Sequence, residues 1–184
     1  MKHELCSKTG VEYLSLPKTP PKADPISSSE IVRWIRAPRE IPLRVDFAGG
    51  WLDVPRYSRV GGFIVNCAIT PPVSLKLWGY EKRSGLGGSA AWAILNGKDG
   101  VNSEINLGVG WQDPAIIHET GLCVWHSGLN PALYFKRDGK MLKGLMAIHF
   151  SNNGHDTPAI VDNNRNYDLI YSASQAACQA ALNE

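Results

Sequence analysis

Polar Arg44 and Asp46 alternate with apolar neighbours along PLRVDFAGG, residues 42–50. Alternation with a period of two is typical of a β-strand that buries one face. Apolar runs predict three further strands, at residues 61–69, 73–80 and 121–125, and VEYLS, residues 11–15, is a short strand candidate. A fifth run, residues 132–150, predicts a hairpin whose tight turn is Asp138-Gly139. The polar residues 151–166 predict a loop.

Helical spacing predicts three helices. Residues 27–36 begin with Ser27 and Glu30 at capping-box spacing. Residues 88–96 form an alanine-rich run after a glycine-rich loop. Residues 167–183 carry an apolar stripe made of Leu169, Ile170, Ala173, Ala176, Ala177 and Ala180. Strands grouped early, with helices interspersed, favour an α+β fold.

Composition narrows the function classes. The chain has 184 residues, 43% of them hydrophobic, and a net charge of +2, which suits one domain without a general attraction to nucleic acid or membrane. No apolar run reaches the length of a membrane span. The cysteines are scattered without a C-x-x-C pair, so neither a zinc site nor a disulfide framework is indicated: Cys6, Cys67, Cys123 and Cys178. We expect a reduced, cytoplasmic protein.

The stretch RSGLGGSAAW, residues 83–92, places three glycines directly before a helix. Glycine lets the backbone approach a ligand closely, and the first N–H groups of a helix are free to bind an anion. The segment therefore predicts a phosphate-binding loop, to which Ser84 and Ser89 add hydroxyl groups that can reach Mg²⁺. A simple tight turn is the alternative interpretation.

The stretch PLRVDFAGGWLDVP, residues 42–55, places Arg44, Asp46 and Asp53 around a Gly49-Gly50 turn. Carboxylates can accept sugar hydroxyls, arginine can hold an anionic oxygen, and Trp51 could stack on a sugar ring. A solvated turn with surface ion pairs is the alternative.

The stretch GVGWQDPA, residues 108–115, places Asp113 just before Pro114. Proline suits the first turn of a helix, so Asp113 lies where a loop enters a helix. It is either a helix N-cap or a general base.

In this order the three segments resemble the GHMP kinase superfamily, and within it the fucokinase and heptose-phosphate kinase branch, over residues 39–150. The resemblance implies a lobe of the ribosomal S5 domain 2 type and transfer of phosphate from ATP–Mg²⁺ to a sugar or sugar phosphate. It assigns catalysis to Asp113 and Arg44, and a metal contact to Ser89. The implied substrate residues are Asp46, Gly50, Trp51 and Asp53. The implied nucleotide loop is Ser84, Gly85, Leu86, Gly87, Gly88, Ser89 and Ala90.

The chain also departs from this family. The segments between the motifs are short, and residues 93–110 leave room for little more than a short helix and a turn. Glu104 is the nearest candidate for the family's Mg²⁺-binding glutamate. The third, glycine-rich family motif is absent, so we expect a shortened domain without the second lobe. The apolar surface that such a lobe would cover favours a homodimer.

Residues 10–36 carry a second resemblance, to the tail of a HxGH-type nucleotidylyltransferase of the cytidylyltransferase-like group. Ser27, Ser28 and Ser29 would bind nucleotide phosphates at the helix start, or Ser27 would only cap the helix.

The expected organisation is a transferase-tail-like segment at residues 1–38 and an incomplete GHMP-like domain at 39–184. Two function classes stay open: a sugar kinase, as part of a bifunctional transferase–kinase, or a non-catalytic remnant that binds a ligand or oligomerises.

Overall fold

The structure is a computed structural model that describes residues 38–82, 84–149 and 156–183. The predicted strand at residues 11–15, the predicted helix at residues 27–36 with its three serines, and Cys6 lie outside the described residues. So does the transferase-tail-like segment as a whole, apart from Pro38.

Four strands form one antiparallel sheet in the order β1-β2-β3-β4. They are β1 Ile41–Ala48, β2 Phe63–Val73, β3 Leu122–His126 and β4 Ala132–Arg137. The strands predicted at residues 42–50, 61–69 and 121–125 and at the start of 132–150 are therefore confirmed, with small shifts of their ends.

Five helices accompany the sheet. They are α1 Gly88–Leu95, α2 Gly100–Asn106, α3 Gln112–Glu119, α4 Thr157–Ile160 and α5 Tyr167–Asn183. The helices predicted at 88–96 and 167–183 are confirmed, and α2 is the short helix for which residues 93–110 leave room. A domain that mixes helices with an antiparallel sheet agrees with the predicted fold class.

Neighbouring residues of β2 contribute to two different hydrophobic clusters, because successive side chains of a strand point to opposite faces. Ile64 packs with Trp111 and Ile116 at the start and middle of α3. Val65 packs instead with Cys178 and Ala181 of α5. The sheet is thus covered on both faces, which holds the start of α3 against the strands.

The predicted strand at residues 73–80 is wrong beyond Val73. The N–H groups of Leu77 and Trp78 both donate to the carbonyl of Ser74, at 3.0 and 2.8 Å. Those bonds close a turn, and the donors they use cannot join a sheet ladder. Residues 75–77 are all exposed, between the buried Ser74 and Trp78, so burial in this run does not alternate from one residue to the next as it would in a strand.

The second strand of the predicted hairpin is also wrong. Gly139 has a φ of +72° and opens a 3₁₀ turn, Lys140–Leu142, while the N–H of Lys140 donates to the Asp138 carboxylate at 2.9 Å. This turn leads the chain away from β4 instead of reversing it alongside the strand. Residues 143–149 form no strand, so β4 is an edge of the sheet.

Helix α5 buries a different stripe from the predicted one. Ser174, Cys178 and Ala181 are its buried residues. Four of the six predicted stripe positions are exposed instead: Leu169, Ala173, Ala176 and Ala180. The inward stripe is rotated toward Ser174, a polar residue whose hydroxyl oxygen accepts the backbone N–H of Phe63 in β2 at 3.2 Å. The homodimer stays a prediction.

The described cysteines, Cys67, Cys123 and Cys178, are buried and free. None of the helices in the described ranges is both long enough and apolar enough to cross a membrane.

Candidate functional site

Arg44 ties β1 to the glycine-rich loop. Its backbone N–H donates to the Leu86 carbonyl at 3.1 Å, and its side-chain Nη1 donates to the Gly85 carbonyl at 2.6 Å. Arg44 is only 9% exposed. Because two bonds from one residue hold the loop, the loop lies directly against the strand that carries the first motif.

The same guanidinium joins the third motif. Nε of Arg44 donates to Asp113 Oδ1 at 2.6 Å, and Nη1 lies 3.1 Å from Asp46 Oδ2. Arg44 and Asp113 are 69 positions apart in the chain. The structure therefore brings all three predicted motifs together at one side chain.

Asp53 anchors the first motif to α3. Its carboxylate accepts the N–H of Trp51 at 3.0 Å and the N–H of Gln112 at 3.1 Å. Burial raises the pKa of Asp53 to about 6, against the lowering effect of the hydrogen bond from Gln112. Asp53 is 2% exposed, so the alternative of a solvated turn with surface ion pairs is wrong for this segment.

Two clefts adjoin at the Arg44–Asp113 pair. The first cleft, of about 210 Å³, contains all four predicted substrate residues, Asp46, Gly50, Trp51 and Asp53. The second cleft, of about 180 Å³, contains four residues of the predicted phosphate loop: Ser84, Gly87, Gly88 and Ser89. The residues that line both clefts are Arg44, Glu104, Asp113 and Thr157.

The remaining loop residues lie elsewhere. Gly85 lines the first cleft. Ala90 is 1% exposed and packs in a hydrophobic cluster with Ile94, so its side chain faces away from both clefts. Leu86 lines neither cleft, and its backbone holds Arg44 instead. At Leu86 and Ala90, therefore, the side chains do not face either cleft, and only backbone atoms are available to a ligand.

The glycine-rich loop places the start of α1 at the second cleft. Gly87, at the N-cap of α1, has a φ of +77°, and no side chain caps this helix. The first N–H groups of a helix lack partners within it and attract anions. A Cβ at Gly88 would lie 1.9 Å from the Lys82 carbonyl. Positions 87 and 88 thus require glycine for the loop's own geometry, as a tight turn does.

Asp113 is not a helix N-cap, so that alternative is wrong. The N-cap position of α3 is Trp111, and Asp113 lies within the first turn. Its carboxylate turns to Arg44 rather than to the N–H groups at the helix start. The carboxylate stands instead at the boundary of the two clefts.

The side chain of Arg165 covers one face of the Trp51 ring. The guanidinium carbon of Arg165 lies 3.6 Å from the centre of the Trp51 ring, which is close enough for a cation–π contact. One face of the indole is therefore covered. The predicted stacking of a sugar on Trp51 has only the other face available.

Carboxylates crowd the clefts. Burial raises the pKa of Asp46 to about 7, although Arg44 acts in the opposite direction and Asp113 in the same one. Burial, followed by the charges of Asp113 and Asp53, also raises the pKa of Glu104 to about 7. Perturbed carboxyl groups in a cleft are typical of functional sites.

Oxygen donors in the second cleft suit Mg²⁺. No group of three or more acidic, histidine or cysteine side chains poised to hold a metal occurs in the described part of the chain. Mg²⁺ often takes only one or two protein oxygens and completes its shell with water and substrate phosphates. Ser89 and Glu104 both line the second cleft and supply oxygens of that kind.

Sequence reasoning missed several residues that line the clefts, among them Gln112 and Thr157. Gln112 precedes Asp113 and lines the first cleft, and its place beside the predicted base was the one available signal. Thr157 lines both clefts but belongs to a distant segment predicted to be loop, and no local pattern marks it.

Comparisons of the chain with protein-family models, with curated proteins and with solved structures each find no significant match.

Gly110 and Gly85 form a matched pair of substitutions. A Cβ at position 110 would lie 1.7 Å from Asp53 Oδ2, whereas a Cβ at position 85 meets nothing within 4 Å. We expect Gly110→Ala to lower the free energy of unfolding by at least about 1 kcal/mol. Gly85→Ala should change it by less than about 0.5 kcal/mol. Urea denaturation measures both. Equal stability of the two variants would contradict the described packing of Asp53.

The raised pKa of Asp46 predicts a direction for the pH dependence of stability. The ordinary pKa is 3.8 and the folded-state pKa is about 7, so between these values the folded protein binds more protons than the unfolded chain. The contribution of Asp46 to the free energy of unfolding then falls as pH rises from 4 to 7. Asp46→Asn should make this fall smaller. Denaturation at several pH values tests it, and an unchanged slope in the variant contradicts it.

Proposed function

We propose that this protein is an ATP-dependent kinase of the GHMP type that phosphorylates a hydroxyl group of a sugar or sugar phosphate on a lobe of the ribosomal S5 domain 2 type. One observation carries the proposal. The Arg44–Asp113 pair stands where a cleft lined by the predicted substrate residues adjoins a cleft lined by the predicted phosphate loop. Phosphoryl transfer requires two ligands to meet at one point, and two clefts that share a wall offer that arrangement.

Asp113 would act as the general base. A sugar hydroxyl is a weak nucleophile, and a carboxylate within hydrogen-bond reach can take its proton during attack. The hydroxyl oxygen forms a bond to the γ-phosphorus, the bond from that phosphorus to the β–γ bridging oxygen breaks, and ADP leaves with the electron pair. Asp113 Oδ1 is bonded to Arg44, which orients the carboxylate and leaves Oδ2 for the substrate.

Arg44 would stabilise the transferred phosphoryl group. Charge builds on the oxygens of that group, and positioning with electrostatic stabilisation accounts for most of the catalysis in this reaction type. The guanidinium lines both clefts. Its bonds to Gly85 and Asp113 fix its position before any ligand binds.

The start of α1 would bind the nucleotide phosphates through backbone N–H groups. Ser89 and Glu104 would hold Mg²⁺ beside them. When bound, this ion neutralises charge on the phosphate oxygens. Such neutralisation matters in the second cleft, whose described lining includes Glu81 and Glu104 as well as Asp113.

A non-catalytic ligand-binding module is the second candidate. The observation that favours it is that the chain itself already engages the chemistry-bearing side chains: Arg44 with Asp113, and Asp53 with two backbone N–H groups. Such bonds also serve a purely structural role. The two candidates differ in what a change at Asp113 does to turnover as opposed to binding.

We expect Asp113→Asn to lower kcat by about 10²–10⁴-fold, the range typical of a lost general base, while ATP–Mg²⁺ and sugar affinity change little. Asparagine keeps the shape and one acceptor oxygen for Arg44. Phosphoryl transfer from ATP to a panel of hexoses and heptoses measures turnover, and calorimetry measures binding. Asp168→Asn is the matched control, because Asp168 is exposed on α5 and pairs with Arg59.

The outcomes separate the candidates. A wild type that transfers phosphate, with Asp113→Asn equally active, contradicts the role of Asp113. A wild type that binds a sugar or nucleotide but transfers nothing across the panel favours the binding module.

A further inference from the structure

Carboxylates outnumber cations in the first cleft. Among the described residues that line it, four carry carboxyl groups: Asp46, Asp53, Glu104 and Asp113. Arg44 is the one cation in that lining, and its guanidinium already contacts Asp46, Asp113 and the Gly85 carbonyl. Even with Glu104 assigned to Mg²⁺, three carboxyl groups face one cation that is already paired.

Gln112 is an independent sign of a ligand in the same cleft. Gln112 lines the cleft, and the residue is only 9% exposed. Oε1 is buried without a hydrogen-bond partner, and none of the hydrogen bonds of the described residues involves Nε2. Buried amides in folded proteins nearly always have partners, and leaving one unpaired costs stability.

Gly50 lies beside this amide. A Cβ at position 50 would come within 3.4 Å of Nε2, and both residues line the first cleft. The backbone N–H of Gln112 donates to Asp53, which fixes the base of the side chain. The amide is thus held next to the Asp53 carboxylate at the cleft wall. Its Nε2 group has no hydrogen-bond partner among the described residues.

We propose that the first cleft binds a neutral polyol, a sugar without a phosphate group, and that the side-chain amide of Gln112 forms a hydrogen bond with one of its hydroxyl groups, which can donate to Oε1 and accept from Nε2. This inference rests on the proposed function and narrows its acceptor to unphosphorylated sugars.

A sugar hydroxyl both donates and accepts. It can donate to a carboxylate such as Asp46 and accept from Gln112 at the same oxygen, so an acid-rich wall with one neutral amide matches a polyol. A phosphate monoester carries a charge of about −1.5 to −2 at neutral pH. Like charges a few ångströms apart in a partly buried site repel strongly, and Arg44, which the proposed function assigns to the transferred phosphoryl group, is not available to compensate a second phosphate on the sugar.

Binding calorimetry on the full chain tests the inference without relying on turnover. The ligands are neutral hexoses and heptoses and the phosphate monoesters of the same sugars, each titrated at pH 7.5, with ATP–Mg²⁺ titrated separately. We expect at least one neutral sugar to bind about tenfold or more tightly than its monoester. Gln112→Met should weaken that sugar about tenfold, the loss expected for one hydrogen bond to a buried amide.

Gln175→Met is the matched control. Gln175 is exposed on α5 and donates to the Tyr171 hydroxyl, so the same chemical change there should leave sugar affinity unaltered. Gln112→Glu is a second variant that keeps the size of the side chain and replaces the donor with an acceptor. It should weaken the neutral sugar because the amide donor is lost, and it serves where the methionine variant does not fold.

Each result decides the inference. Equal or tighter binding of the monoester, unchanged affinity in the Gln112 variants, or no sugar binding by the wild type overturns it. Absence of ATP–Mg²⁺ binding alongside preferential binding of a neutral sugar contradicts the proposed kinase and leaves the polyol cleft standing. ATP–Mg²⁺ binding and transfer to a sugar phosphate leave the kinase standing and overturn the polyol cleft.

Discussion

The guanidinium of Arg44 is the point on which the site depends. It bonds the Gly85 carbonyl, the Asp113 carboxylate and the Asp46 carboxylate, so one side chain holds the loop, the helix α3 and the strand β1 together. A paired buried cation of this kind costs desolvation, which only good geometry and further hydrogen bonds offset. Removing one of the two carboxylates would leave this cation with a single charged partner. The proposed catalytic pair and the structural centre of the domain are therefore the same atoms.

Asp53 provides the second connection and explains why position 110 is a glycine. It joins the turn after β1 to the start of α3 through two backbone N–H groups, and Gly110 is where the chain passes too close to the carboxylate for a Cβ. Gly49, with a φ of +83° and Phe63 against it, allows the turn itself. The two clefts exist because these short connections hold the three motifs at fixed separation.

Sequence patterns predicted the parts of the fold that depend on local periodicity. The strands near Arg44 and Cys123 and the helices α1 and α5 follow from alternation and helical spacing. Residues 74–80 and 143–149 were mispredicted because backbone hydrogen bonds to Ser74 and the turn at Gly139 override an apolar composition. Likewise, the buried face of α5 is set by its contact with the sheet, which spacing alone does not reveal.

For the site, the sequence predicted the chemistry of Arg44 and Asp113 but not their contact, since 69 positions separate them and only the fold closes that distance. The covered face of Trp51 and the unpartnered amide of Gln112 depend on neighbours such as Arg165 that lie far away in the chain. No local pattern carries information of that kind.

A crystal structure with Mg²⁺, a non-hydrolysable ATP analogue and a bound sugar tests the central claim most directly. The account predicts the triphosphate at the start of α1 in the second cleft, the sugar in the first, and one sugar hydroxyl within hydrogen-bond distance of Asp113 with the γ-phosphate beside Arg44. Ligands bound away from the Arg44–Asp113 pair, or both ligands competing for a single cleft, would contradict it.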